Sequence, residues 1–128
     1  MSTIKIKIIE LMKKIENQNS ENKDLENEMI ENLAKDCVEY ISSIINMENA
    51  INLAKTRLEG NEYRKLITNF DKRRTDTHNV VISDVKVLNK VSVLYELPLI
   101  FNGDVNSRIE VAKFAKQYID ELFNERRM

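Results

Sequence analysis

Apolar side chains recur every three or four residues along most of the chain, which is the spacing of one face of an α-helix. The longest uninterrupted run is Ile30, Leu33, Cys37, Tyr40, Ile44, Met47, Ile51, Ala54 and Leu58. It predicts one long helix from about Asp24 to Leu58, and further apolar residues beside the run widen its face enough for a bundle interior. Gly60 follows in the position that a helix C-cap prefers.

Shorter runs with the same spacing predict three more helical regions. An N-terminal helix is expected from four apolar positions: Ile4, Ile8, Leu11 and Ile15. The polar residues 16–28 that follow are typical of a connector. A third helix is expected from about Asn61 to Leu97, because Pro98 disfavours helix in the residue before it. Ser107 and Glu110 have the spacing of a capping box, which predicts the start of the last helix.

The third helical stripe is interrupted by residues 71–79, DKRRTDTHN, which contain no apolar side chain. Continuing the step of three or four residues from Phe70 leads to Arg74 and then to His78, the one histidine of the chain. Polar groups on a core-facing stripe cost stability unless they are paired, so such a site often serves function or specificity. The pattern leaves helix and loop open here and favours a continuous or kinked helix.

These elements predict an all-α bundle of four or five helices in a single domain, residues 1–128, whose first 23 residues are an N-terminal helix and polar connector. Only two glycines and one proline occur in 128 residues, which argues against an all-β fold with its many turns. A helix of 35 residues spans about 50 Å. Because so small a domain would leave parts of such helices uncovered, we expect a homo-oligomer, most simply a dimer.

Charge and cysteine content narrow the classes of function. The net charge is −1, so no overall positive field marks a nucleic-acid binder. A single cysteine, Cys37, fits a reducing compartment, and its position on an apolar stripe favours a buried structural thiol. No stretch has the apolar length of a membrane span, and lysines interrupt the N-terminal apolar stretch. We therefore expect a cytoplasmic protein.

In a helix, Asp71, Arg74 and His78 share one face, which makes them the first candidate site. They have three interpretations: a buried polar cluster that fixes helix register, solvated surface side chains, or a ligand-binding or catalytic site. A wider set of polar residues predicts a pocket for an anion such as a nucleotide or phosphate, because the planar guanidinium contacts phosphate oxygens in pairs. This set is Arg57, Arg64, Asp71, Arg73, Arg74, His78 and Arg108. We expect no metal and no cofactor, since one histidine and one distant cysteine make no zinc site and no phosphate-binding loop is present.

Arg73 and His78 have the Arg-x4-His spacing and thereby resemble the motif of the HEPN ribonucleases, small α-helical proteins that act as dimers. The resemblance implies Arg73 as the group that stabilises the scissile phosphate and His78 as the acid–base residue. The residue after the arginine is Arg74, whereas that family commonly has Asn, Asp or His there.

Four longer strings resemble a family of short helical proteins of unknown function from low-GC Gram-positive bacteria and their phages. They are RLEGNEYR (57–64), DKRRTDTH (71–78), LPLIFNGD (97–104) and RIEVAKFA (108–115), within residues 45–127. The resemblance implies a bacterial or phage protein and supplies no activity. We favour a non-catalytic helical protein that binds a host protein or an anionic small molecule, with the ribonuclease as the alternative.

Overall fold

The computed structural model describes residues 3–19, 23–57 and 60–127 and, within them, the side chains of residues 4–14, 28–55 and 60–124. These ranges form four helices: α1 (Thr3–Asn19), α2 (Lys23–Arg57), α3 (Gly60–Leu94) and α4 (Arg108–Arg127). No strand occurs in the described ranges, so the predicted all-α bundle is confirmed.

The longest contact of the fold joins α2 and α3, which pack as an antiparallel pair. Each has 35 residues, a length of about 50 Å. Gly60 has a φ of 59°, a left-handed conformation that glycine adopts without steric cost, as expected for the residue where the chain reverses. Leu58, the last position of the predicted α2 stripe, lies outside the described residues.

The hydrophobic core occupies one half of this helix pair, where α1 and α4 cover it. Each helix contributes one apolar face, represented by Ile8, Leu33, Leu88 and Tyr118, all of which are buried. Farther along α2 the buried apolar side chains shrink to Ala50 and Ala54. Of the four apolar positions that predicted the N-terminal helix, Ile4, Ile8 and Leu11 are buried in α1. The side chain of Ile15 lies outside the described part. The outer end of the α2–α3 pair is therefore only thinly packed.

The start predicted for the long helix, about Asp24, is confirmed within one residue, because α2 begins at Lys23. The extent predicted for the connector was wrong. The connector expected at residues 16–28 is largely helical, because α1 continues to Asn19 and α2 already begins at Lys23. Glu, Lys and Asn side chains are tolerated on an exposed helix surface, so a polar stretch alone does not end a helix. Residues 71–79, in contrast, lie within the continuous helix α3, as the favoured interpretation had it.

Helix α3 ends at Leu94, three residues before the position predicted from Pro98. Leu97 N donates to Ser92 O at 2.9 Å and Glu96 N donates to Val93 O at 3.2 Å. These two bonds form a Schellman motif, and Glu96 takes the left-handed position with a φ of 57°. The end of α3 is thus set by the backbone hydrogen bonds of the Schellman motif rather than by Pro98.

The segment between α3 and α4 is held by the side chain of Asn89, which the sequence did not single out. Asn89 Nδ2 donates to Phe101 O at 2.7 Å, and its Oδ1 accepts from the backbone N–H groups of Ile100 and Phe101. Ser107 Oγ accepts from Glu110 N, as the capping box predicted. Glu110 itself reaches back to Asp104 N at 2.8 Å rather than to Ser107 N.

Two carboxyl groups meet across the α2–α3 contact. Asp84 hydrogen-bonds Asp36, and the pKa of Asp84 is raised from 3.8 to about 7, first by burial and then by the bond to Asp36 and its charge. The neighbouring Cys37 thiol is buried, as predicted. Burial and the charges of both carboxyl groups raise its pKa to about 12. The thiol is therefore protonated at neutral pH and packs as an apolar group.

We predict that Asp84→Asn stabilises the fold in a pH-dependent way. The folded state raises the pKa of Asp84, so it holds a proton that the unfolded chain loses, and stability falls as pH rises from about 4 to about 7. Asparagine does not ionise, so the variant should not lose stability in this pH range. Urea unfolding should give nearly equal stabilities at about pH 4 and a gain of about 1–2 kcal/mol for the variant at about pH 8.

The matched control is Asp120→Asn, which removes the same charge from an exposed position of α4. It should show no such pH dependence. A difference between Asp84→Asn and wild type that stays constant with pH would contradict the proton shared across α2 and α3.

Candidate functional site

The polar segment of α3 faces α2 and the start of α4, where it forms a group of side chains that we call the polar cluster: Tyr40, Asp71, Arg74, His78 and Arg108. Thr77 and His78 are only 7% and 8% exposed, although both are polar. On the predicted common face, His78 is thus buried, whereas Arg74 and Asp71 are partly exposed.

One oxygen of Asp71 lies between two guanidinium groups. Asp71 Oδ1 accepts a hydrogen bond from Arg74 Nη2 and lies 3.9 Å from Arg108 Nη1. The Arg74 side chain is 21% exposed, whereas those of Asp71 and Arg108 are 44% and 54% exposed. Asp71 and Arg74, which are three residues apart in α3, were expected to share one helix face. The contact of Asp71 with Arg108 on α4 could be found only from the fold.

His78 packs edge-on against the ring of Tyr40, with ring centroids 5.5 Å apart and an angle of 61° between the rings. Its pKa lies below the usual 6.5, chiefly because burial disfavours the charged ring; a hydrogen bond with Asn79 opposes this, and the charges of Arg108 and Arg74 add to it. His78 is therefore neutral at pH 7, and one of its nitrogens is an acceptor.

Two nitrogen atoms of the cluster are buried without a hydrogen-bond partner among the described residues. They are Arg74 Nε and His78 Nε2, and the two residues are four apart, on one face of α3. A buried donor that lacks a partner costs about 1–3 kcal/mol. Buried polar groups in folded proteins nearly always have a partner, so these two nitrogens require one, such as an ordered water or an ion.

Tyr40 belongs to the cluster although its spacing made it look like an ordinary core residue. It is fully buried, and its hydroxyl donates to Arg108 O at 3.2 Å, joining α2 to the start of α4. Burial raises the pKa of Tyr40, and the charges of Arg74 and Arg108 oppose that rise. The phenol on an otherwise apolar seam was the signal that could have identified it.

A second pair that sequence reasoning missed lies beside the cluster. The hydroxyls of Ser43 on α2 and Thr77 on α3 are 2.9 Å apart and buried. Each also lies within hydrogen-bond distance of its own helix, Ser43 at Tyr40 O and Thr77 at Arg73 O. Unlike Arg74 and His78, these two polar side chains satisfy each other.

Two further predicted site residues, Arg73 and Arg64, lie apart from the cluster. Arg73 is exposed, and Arg64 is exposed about two turns before Asp71, in a shallow cleft with Asn61 and Thr68. The side chain of Arg57 lies outside the described residues. Of the predicted arginine set, Arg74 and Arg108 are the members that the described residues bring together with Asp71 and His78.

Another cleft, of about 300 Å³, lies between α1, α4 and the segment after α3. Its wall includes the ring pair Phe101 and Phe114, which are 5.2 Å apart. Lys7 at its rim already donates to Leu99 O, and Glu110 is held by Asp104 N. Because these charged groups have partners, the cleft is a weaker candidate than the polar cluster.

A family model covers nearly the whole chain, residues 4–128. The chain belongs to the DUF3232 family. That family consists of proteins of unknown function, which agrees with the family resemblance noted in the sequence. No curated protein and no solved structure matches the chain significantly. Membership in DUF3232 therefore supplies no activity, and the functional argument depends on the polar cluster itself.

None of the described helices of this DUF3232 protein has a stretch long and apolar enough to cross a membrane. Within the same residues, no three histidine, cysteine or acidic side chains come together in a group that could hold a metal ion.

Proposed function

We propose that this protein is a non-catalytic helical binding protein and that the polar cluster takes an anionic group. That group belongs to a small molecule such as a nucleotide or to a host protein. The supporting observation is the pair of buried nitrogens without partners, Arg74 Nε and His78 Nε2, beside two guanidinium groups. Arginine suits phosphate and carboxylate because its planar fork matches their oxygens.

Binding at this cluster is linked to the protonation of His78. In the free protein, burial and two nearby cations hold its pKa below 6.5. An anion within about 4–6 Å would favour the protonated ring and so raise that pKa, commonly by 1–3 units. Because the chain has one histidine, its ring protons report on the site without ambiguity.

The experiment is a proton NMR titration of His78 with pH, in phosphate and in chloride of equal ionic strength. We expect phosphate to raise the pKa of His78 by about one unit or more relative to chloride. Arg74→Gln should abolish the phosphate-specific rise, since it removes the principal guanidinium. Lys72→Gln, which removes an exposed charge from the same helix, should retain it.

Equal pKa values of His78 in phosphate and chloride would contradict an anion site at the cluster. A rise that survives Arg74→Gln but disappears in Lys72→Gln would place the anion on the outer surface of α3 and would also contradict it.

The ribonuclease alternative stays a prediction from the Arg-x4-His spacing. Five residues along a helix place Arg73 and His78 about 140° apart around its axis, and the first is exposed while the second is 8% exposed. The cations whose charges lower the pKa of His78 are Arg108 and Arg74. Bacterial or phage origin and the cytoplasm likewise remain expectations from the sequence.

We further propose that the protein forms a homodimer through α3. Besides its buried seam, α3 has a second apolar stripe, at Val80, Val87 and Leu94, which are 45%, 59% and 75% exposed. A repeat of seven residues is typical of a helix that packs along a partner helix. A second copy of the same stripe is the simplest partner for it.

Light scattering coupled to size exclusion tests the dimer. We expect wild type to elute as a dimer and Val87→Glu to be monomeric, because a charge on this stripe would lose its solvent on association. Val93→Glu is the control, since Val93 is 66% exposed and lies about 120° away around α3. A monomeric wild type, or equal behaviour of the two variants, would contradict the proposal.

A further inference from the structure

Asp71 occupies the position in which an anionic ligand would be recognised. Its Oδ1 accepts from Arg74 Nη2 and also lies 3.9 Å from Arg108 Nη1, so one carboxylate oxygen serves two cations. An anion that binds the cluster needs the same two guanidinium groups. The ligand and Asp71 therefore compete for one place.

The contact that Asp71 makes with Arg74 is incomplete. Nη2 and Nε lie on the same edge of a guanidinium, and both can donate to one oxyanion. Asp71 uses Nη2, whereas Nε remains buried without a partner among the described residues. A tetrahedral phosphate group, which presents several oxygens, can accept from both nitrogens, and its charge exceeds that of a carboxylate.

Asp71 is also the more exposed partner in this contact. Its side chain is 44% exposed, so it can turn toward solvent, whereas the Arg74 side chain is only 21% exposed. Behind Arg74 on the same face lies His78, 8% exposed, whose Nε2 also lacks a partner. Departure of the Asp71 carboxylate would free the guanidinium groups of Arg74 and Arg108, beside the face of α3 that carries the unpartnered Arg74 Nε and His78 Nε2.

We propose that Asp71 is an internal competitor that fills the anion site in the free protein and that a phosphate group displaces it. This inference rests on the proposed anion-binding function and adds how the site is regulated and which class of ligand it takes, a phosphate or phosphate monoester. An internal competitor leaves only a fraction of the molecules with an open site, and the apparent affinity for the ligand is the intrinsic affinity multiplied by that fraction. Removing its charge should therefore strengthen binding.

The test is equilibrium dialysis with radiolabelled inorganic phosphate at fixed pH and ionic strength. Asp71→Asn keeps the side-chain shape and removes the charge, and we expect it to bind phosphate about tenfold more tightly than wild type. Asp71→Ala should bind more tightly as well, which guards against an effect peculiar to asparagine. The double variant Asp71→Asn, Arg74→Gln should lose the gain.

The control is Asp76→Asn, which makes the same change in net charge at an exposed position of α3. An equal gain in Asp76→Asn would show a general charge effect and overturn the inference. If wild type binds phosphate and Asp71→Asn binds no better, the competitor is refuted while anion binding stands. If no variant binds phosphate, both the competitor and the proposed function are refuted.

Discussion

The packing of α2 against α3 is the constraint on which the rest of the structure depends. Two helices of 35 residues, separated only by residues 58 and 59, pair along their length. This pairing fixes the face of α3, because Val81, Val85 and Leu88 are buried on it. The polar segment on the same face cannot turn to solvent without exposing these residues. Arg74, Thr77 and His78 must therefore face α2 and α4.

The polar side chains on this face differ in whether their hydrogen-bonding groups have partners. Ser43 and Thr77 meet across the helix pair and satisfy each other. Arg74 and His78 each keep one buried nitrogen without a partner among the described residues. A purely structural polar layer would be expected to satisfy its own groups, since each unmet one costs free energy and an apolar replacement would avoid that cost. The unmet groups lie beside three charged residues at the edge of the core, which is why we assign them to binding.

The spacing of apolar residues predicted much of the fold but only part of the polar cluster. The unbroken apolar spacing of α2 predicted a long helix, and the in-phase stripe correctly favoured a continuous α3. Boundaries were less accurate, because a polar stretch such as residues 16–28 suits a helix surface as well as a connector. Asp71, Arg74 and His78 were found since helical spacing alone brings them together. Tyr40 and Ser43 were missed, because their roles depend on contacts between helices, which spacing within one helix does not determine. Arg108 was predicted as a candidate, but only the fold places it beside Asp71.

The most direct measurement of the central claim is a crystal structure of the protein grown with tungstate, a heavy oxyanion whose position can be read from its anomalous scattering. The account predicts tungstate at the polar cluster, within hydrogen-bond distance of Arg74 Nε and His78 Nε2. It would be contradicted by tungstate bound only at surface lysines while Arg74 Nε and His78 Nε2 are satisfied by other groups of the protein.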